Sequence, residues 1–230
     1  MLNWTVVIPL KDEVSTIWQQ VSNLRNMGIR EVIVAVDCKT TEYAIRAARD
    51  AGARVITTEQ GTKGLANIYR YALGVCAEEA ISDVIVEMDS GGSHCTCDMY
   101  RFILAMNNST VDVVLGERFS KKAVYKAPWN RKLLSWCGTV LTNLLDYPFS
   151  FDKWWKDGTS GYIAYRTKAL QQILSLPQKS SGYYYQTEVR RHIRKLGLIA
   201  KEVPIEFKSS SSSLKIKHVF EAIILAFKKD

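Results

Sequence analysis

The sequence predicts an α/β protein with a mixed, mainly parallel sheet flanked by helices, and three observations carry that prediction. Short β-branched apolar runs recur along the first half of the 230 residues. Between them, apolar residues fall three and four positions apart, the period of a helix with one buried face. Glycines stand where these helices should stop, as at Gly28 and Gly52, because glycine accepts the left-handed conformation that ends a helix. Strands alternating with helices at this pitch build right-handed β-α-β units.

Taken in order, Trp4 to Leu10 reads as a buried strand. Val14, Ile17, Trp18, Val21 and Leu24 form the apolar stripe of a helix over 14–27. Glu31 to Val36 is a second strand, Glu42 to Ala51 a second helix and Ala53 to Thr57 a third strand. A helix from about Gly64 to Ala80 leads to the strand Asp83 to Met88, then a helix from Cys97 to Met106 and a strand from Val111 to Gly116. Periodicity weakens over residues 120–160, which are rich in Trp, Lys, Arg and Asn and read as helices with a loop beside the site. Order returns with a strand at Thr159 to Tyr165, helices at Thr167 to Leu174 and Glu188 to Leu196, and a strand at Ala200 to Phe207. Ser209 to Ser213 is a serine run that buries little apolar surface. Ile216 to Phe227 has the pattern of an amphipathic helix. Residues 1–208 are therefore expected to form one domain, with 209–230 as connector and terminal helix.

Composition narrows the function. No apolar run reaches the roughly 18–20 residues of a membrane-spanning helix, and no export signal is recognisable, so a cytoplasmic protein is expected. The five cysteines are an odd, scattered number, which predicts reduced thiols. Cys95 and Cys97 lack the second Cys or His pair of a zinc site. The formal charge of +8 suits an anionic partner: a diphosphate, an acidic membrane surface or nucleic acid.

In open α/β sheets, ligands bind beyond the carboxyl ends of the strands, and the strongest chemical signal lies at such an end. In the run Val84 to His94, the two-residue period places Ile85, Glu87 and Asp89 on one face, so two carboxylates emerge where the strand stops. The pair Gly91-Gly92 permits a sharp turn. A carboxylate there can hold Mg²⁺ or Mn²⁺ against a diphosphate; the alternative is a solvated turn with Glu87 paired to a base. Arg118, just past another strand, is placed to grip phosphate or to form an ion pair. Lys63, between Gly61 and Gly64, can lie along a donor or be a solvated lysine. His94 reads as a buried hydrogen-bonding side chain, with metal coordination as the alternative. Trp129, Trp136, Trp154, Trp155 and Tyr183–Tyr185 can form a sugar or lipid platform or plain core.

The same residues resemble a known family. The run from Asp89 to His94 is similar to the Asp-x-Asp-x-x-His segment of family-two glycosyltransferases. These are inverting enzymes of the GT-A fold, a Rossmann-like α/β architecture, and the likeness is greatest to the dolichyl- or polyprenyl-phosphate mannose synthases. Val6 to Pro9 with Glu13, Val36-Asp37, Gly61 to Ala66, Val114 to Phe119 and Asp157 to Arg166 match in the same order. Gly182 to Glu188, Leu196-Gly197 and Glu202 to Ile205 extend the series. The resemblance implies sugar transfer, mannose or glucose, from a nucleotide-diphosphate sugar to a polyprenyl phosphate, with Mg²⁺ or Mn²⁺ at Asp89 and Ser93. It implies donor contacts at Pro9, Glu13, Asp37, Lys63, Glu87, Arg118 and Arg131, and acceptor contacts at Gln186, Glu188 and Lys215. Asp89, Arg118 and Asp157 are its catalytic set, Asp157 as base for a hydroxyl acceptor or only as an orienting group for a phosphate. Such an enzyme would be peripheral on a membrane. A glycan, protein or modified DNA base as acceptor, and an inactive nucleotide-sugar binder, are the alternatives. The family's second metal Asp falls on Gly91, and the second Asp of its Val-Asp-Asp on Cys38.

Overall fold

All seven residues of β1 (Trp4–Leu10) are buried, which places this strand in the middle of the sheet. The computed structural model describes residues 2–58, 64–80, 82–180, 182 and 184–209. α1 (Val14–Asn26) follows, then β2 (Glu31–Val36), α2 (Glu42–Asp50), β3 (Arg54–Thr57), α3 (Leu65–Glu79) and β4 (Val84–Glu87). The second half holds α4 (Met99–Met106), β5 (Val113–Glu117), β6 (Val124–Lys126), α5 (Trp129–Asp146), β7 (Ile163–Arg166), α6 (Thr167–Ser175), α7 (Tyr185–Lys195), β8 (Ala200–Pro204) and β9 (Glu206–Lys208).

Seven strands form the main sheet in the order β3-β2-β1-β4-β7-β5-β8, and β6 pairs with β9 in a two-stranded one. Every pairing in the main sheet is parallel except those of β7, which runs antiparallel to both β4 and β5. This reversal matters for the site. Because β7 enters the sheet from the edge where β4 and β5 end, the segment just before it, 157–162, arrives beside Asp89 and Arg118.

Alternation along the strands divides the core in two. Val6 and Ile8 of β1 join Val84 and Val86 of β4 on the face covered by α1, α2 and α4. Val7 and Ile85 point the other way, into the layer of α3, α6 and α7. α1 is held by Ile17, Val21 and Leu24, all fully buried, each contributing about 1.5–3 kcal/mol by leaving water.

Three expectations are corrected. The strand expected at 200–207 breaks at Ile205, where the chain leaves the main sheet and β9 pairs with β6 (Val124↔Glu206). Residues 129–146 are one 18-residue helix, entered through Pro128. The strand expected from Thr159 begins only at Ile163, because Gly158 N–H donates to Thr139 Oγ1 (2.9 Å) and Thr159 N–H to Asp157 Oδ1 (3.0 Å) instead of to a neighbouring strand. The thiols also differ from expectation: Cys95 and Cys97 are joined as a disulfide, while Cys38, Cys76 and Cys137 are free. The helix expected at Ile216 to Phe227 lies outside the described residues. Among those described, no helix is long and apolar enough to cross a membrane.

Candidate active site

Asp89 lies two residues beyond β4, past the carboxyl edge of the sheet. Its side chain is 37% exposed and is held from two sides: Tyr69 of α3 donates its hydroxyl to Oδ1 (3.0 Å), and Ser93 Oγ reaches toward Oδ2 (3.5 Å). The backbone is fixed as well. Gln20 of α1 donates to the Asp89 carbonyl (2.9 Å), and Asp89 N–H donates to His94 Nδ1 (3.2 Å). That bond assigns the His94 proton to Nε2, which lies 3.9 Å from Asp89 Oδ2. Burial holds His94 below the ordinary histidine pKa, so the ring is neutral. It stacks on Tyr162 at 4.9 Å.

The loop after Asp89 is tied to β9 rather than hanging free. Lys208 N–H donates to the Ser93 carbonyl (2.9 Å), and His94 forms a bridge with Phe207. Gly92 adopts φ +68°, and a Cβ there would lie 2.9 Å from Thr16 Cγ2. Gly91 has neither constraint.

Glu87 shares the strand face of Asp89 but not its exposure. It is fully buried, accepting from the Tyr185 hydroxyl (3.3 Å). Burial raises its pKa to about 8, with the nearby Asp89 charge adding to the rise. At neutral pH it is a neutral acid beneath the site.

Arg118 and Asp157 are brought together by the reversal of β7. Arg118 Nε donates to Asp157 Oδ2 (2.6 Å) and Nη2 to Oδ1 (2.9 Å). The Arg118 backbone N–H also reaches Oδ2 (3.1 Å), and Thr159 Oγ1 accepts from Nη2 (2.6 Å). Both residues are buried. Burial opposes the charge on Asp157, but the Arg118 guanidinium outweighs it and holds the carboxyl below its ordinary value. The rings of Tyr125 and Phe207 lie 4.9 and 5.1 Å from the guanidinium carbon. Removing one partner of such a buried pair costs about 3–5 kcal/mol, so this is a rigid unit. Nη1 has no hydrogen bond among the described residues.

The remaining expected residues spread around this edge. Pro9 is buried near the end of β1. Glu13 Oε2 accepts from the N–H groups of Lys11 and Asp12 and from Ser90 Oγ (3.2 Å), linking the β1 loop to the Asp89 loop. Asp37 closes the turn after β2, accepting from Lys39 N–H and Thr40 Oγ1. Arg131 stands at the start of α5 with its guanidinium carbon 5.5 Å from the Phe207 ring. Gln186 packs so closely on Gly161 that a Cβ there would be 2.9 Å from Nε2. Glu188 is taken up by Arg70 (2.8 Å) and by the Lys179 and Ser180 N–H groups. Lys63 and Lys215 lie outside the described residues.

Several residues that shape the site escaped the sequence reading: Tyr69, Gln20, Arg70, Tyr125 and Phe207. No local signal marks them, since each acts from an element remote in sequence. Among the described residues, the only group of three His, Cys, Asp or Glu side chains close enough for one metal ion is Cys95, Cys97 and Glu206, and its two sulfurs are already bonded to each other.

A mainly parallel sheet with one reversed strand and an acidic strand end is the architecture of the GT-A glycosyltransferases. Solved structures share the fold. Glucosyl-3-phosphoglycerate synthase from Mycobacterium tuberculosis, crystallised with Mn²⁺, uridine diphosphate and glucosyl-3-phosphoglycerate, superposes with a TM-score of 0.70 at 16% identity, covering 98% of this chain and 78% of that one. More specifically, residues 5–174 match the glycosyl transferase family 2 model, and the chain belongs to that family. It is 31% identical over 209 residues to the undecaprenyl-phosphate mannosyltransferase of Micrococcus luteus, covering 87% of this chain and 82% of that protein. It is 30% identical over 125 residues to the polyprenol monophosphomannose synthase of Mycolicibacterium smegmatis, covering 54% and 45% respectively.

Proposed function

We propose that this glycosyltransferase moves a hexose, mannose or glucose, with inversion from a nucleotide-diphosphate sugar to a polyprenyl phosphate. The observation that carries the choice of acceptor is the state of Asp157. Its two oxygens are engaged by Arg118 and Thr159, which leaves it unfit to remove a proton from a hydroxyl. A phosphate acceptor needs no base, because it arrives as an anion. Both relatives above carry polyprenyl-phosphate or polyprenol chemistry in their names, which supports the same reading.

In this reading Pro9, Glu13 and Asp37 bound the nucleoside at the ends of β1 and β2, with Lys63 along the donor. Asp89 and Ser93 offer hard oxygen ligands of the kind Mg²⁺ and Mn²⁺ prefer, and Asp89 Oδ2 has one long hydrogen bond, to Ser93 (3.5 Å), with His94 Nε2 farther off at 3.9 Å, so the pair fits a divalent cation. When bound, that cation supplies positive charge against the departing diphosphate. Asp157 orients Arg118, whose guanidinium, with Arg131 on the same Phe207 ring, would supply positive charge to the diphosphate. Gln186, Glu188 and Lys215 serve the acceptor side, Glu188 by bracing Arg70 and the 179–180 turn. An acceptor phosphate oxygen attacks the anomeric carbon as its bond to the diphosphate breaks, and the electron pair leaves with the nucleoside diphosphate. No proton is exchanged, so positioning and preorganised charge supply the rate.

The test is Asp89→Asn, assayed with GDP-mannose and UDP-glucose, Mn²⁺ or Mg²⁺, and a polyprenyl phosphate. Turnover should fall by about 10²–10³-fold. Unchanged metal-dependent turnover overturns the site, and nucleotide release indifferent to added polyprenyl phosphate overturns the acceptor.

A further inference from the structure

α5 is folded inside out. The residues it buries are Ser135, Thr139, Thr142 and Asn143, all polar. They and their neighbours fasten the helix through hydrogen bonds and ion pairs. Ser135 Oγ meets the Tyr125 hydroxyl at 3.1 Å, and Asn143 exchanges two bonds with the Trp155 backbone. Asp146 pairs with Arg191 and Arg194 at 2.9 Å each. Leu134, Val140, Leu141 and Leu145 are half-buried, and the remaining large apolar side chains face solvent. Trp129, Leu133, Trp136 and Leu144 are exposed, Trp129 at 76%, and Phe149 and Phe151 just beyond the helix continue the patch at 93% and 69%. Positions 129, 133, 136 and 144 fall on one helical face. Among the described residues, neither hydrophobic core includes an apolar side chain of α5. A soluble helix normally shows the reverse pattern, and contiguous apolar surface of this kind marks an interaction site.

Charge identifies the occupant. Lys121, Lys122, Lys126, Lys132, Lys153 and Lys156, on α5 and on the chain segments that lead into and out of it, are all exposed. Tryptophans on an apolar helix face, in a stretch of chain rich in exposed lysines, match the boundary between acyl chains and anionic headgroups. A second copy is disfavoured, because a two-fold interface through α5 would bring two such lysine-rich segments together.

We propose that the exposed face of α5, continued by Phe149 and Phe151, docks the enzyme onto an anionic lipid bilayer. The helix is clamped to the catalytic loop: Gly158 N–H donates to Thr139 Oγ1 at 2.9 Å, and a Cβ on Gly138 would lie 3.2 Å from Thr159 Cγ2. Docking through α5 therefore sets the Arg118–Asp157 unit beside the bilayer surface, where a lipid-borne phosphate is presented. The inference thus rests on the acceptor reading above for its purpose, but not for its measurement.

The test is co-sedimentation of the full chain with vesicles that contain neither donor nor polyprenyl phosphate. Vesicles of phosphatidylcholine with phosphatidylglycerol should bind the protein, with release at high salt, and pure phosphatidylcholine should bind it far less. Trp129→Ser combined with Trp136→Ser should lower the partition coefficient at least about tenfold, from the lost apolar transfer, while circular dichroism and thermal stability stay as in the wild type. Phe149→Ser, in the loop after the helix, gives a second reading independent of helix integrity. Absence of wild-type binding to anionic vesicles, or unchanged binding by both variants, overturns the proposal. So does a concentration-dependent dimer in solution that the tryptophan variant abolishes. Vesicle binding without sugar transfer would instead count against the acceptor reading alone.

Discussion

Glu87 is the residue whose charge state the fold controls most directly. Unfolded, its carboxyl titrates near the ordinary 4.5; folded, burial moves it to about 8. The folded chain therefore binds one more proton than the unfolded chain between those values. By linkage its contribution to stability is fully present below about pH 4.5 and is lost as pH rises through 8. Glu87→Gln keeps the shape and removes the titration. The melting temperature of the variant should exceed that of the wild type increasingly from pH 5 to pH 8, with the difference level above that. A constant difference across the range, by calorimetry, would mean that Glu87 is ionised in the folded protein. At this scale the sequence revealed that Glu87 and Asp89 share a strand face, because alternation is local. It could not reveal that one is roofed by Tyr185 while the other meets Tyr69 at the open edge, since the roof comes from helices about 20 and 100 residues away. Likewise Arg118 and Asp157 were each legible as charged residues near strand ends, but their pairing depends on the reversal of β7.

The loop from Asp89 to Cys95 shows how an element, not a residue, sets the site. Its two glycines have different duties. Gly92 turns with φ +68° against Thr16, whereas Gly91 has an ordinary φ and open space where its side chain would be. Gly92→Ala should therefore destabilise the protein by about 1–2 kcal/mol from the left-handed backbone alone, more with the contact to Thr16, and weaken metal binding with it. Gly91→Asp should fold as the wild type does and add a second carboxylate beside Asp89, tightening Mn²⁺ binding in a titration. Equal melting temperatures for Gly92→Ala and the wild type would refute this division of labour. Among elements, the strands up to β5 and the helices between them were readable because all but the edge strand β3 bury a regular face. β6, β9 and α5 were not. The first two are short strands that complete a second small sheet, and α5 presents its apolar residues to the outside, so a rule that places apolar residues inside misreads it.

For the molecule as a whole, the proposed site joins the ends of β1, β2 and β4 in one binding surface, so ligands that bridge them should stabilise the folded state together. A ligand that binds only the folded chain adds about 2.7 kcal/mol at a concentration a hundred times its Kd. For a protein of this size that corresponds to a rise in melting temperature of roughly 5–10 °C. Nucleoside diphosphate and Mn²⁺ added together should produce such a rise, larger than the sum of the two added singly, because the diphosphate completes the ligand set that Asp89 and Ser93 only begin. In Asp89→Asn the excess should vanish while the nucleotide's own smaller shift survives, since Glu13 and Asp37 stand on separate loops. Comparing GDP with UDP then addresses the base, for which Cys38 replaces the acidic residue of the family pattern. Strictly additive shifts in the wild type would show that cation and diphosphate bind apart, and would remove Asp89 from the centre of the transfer reaction.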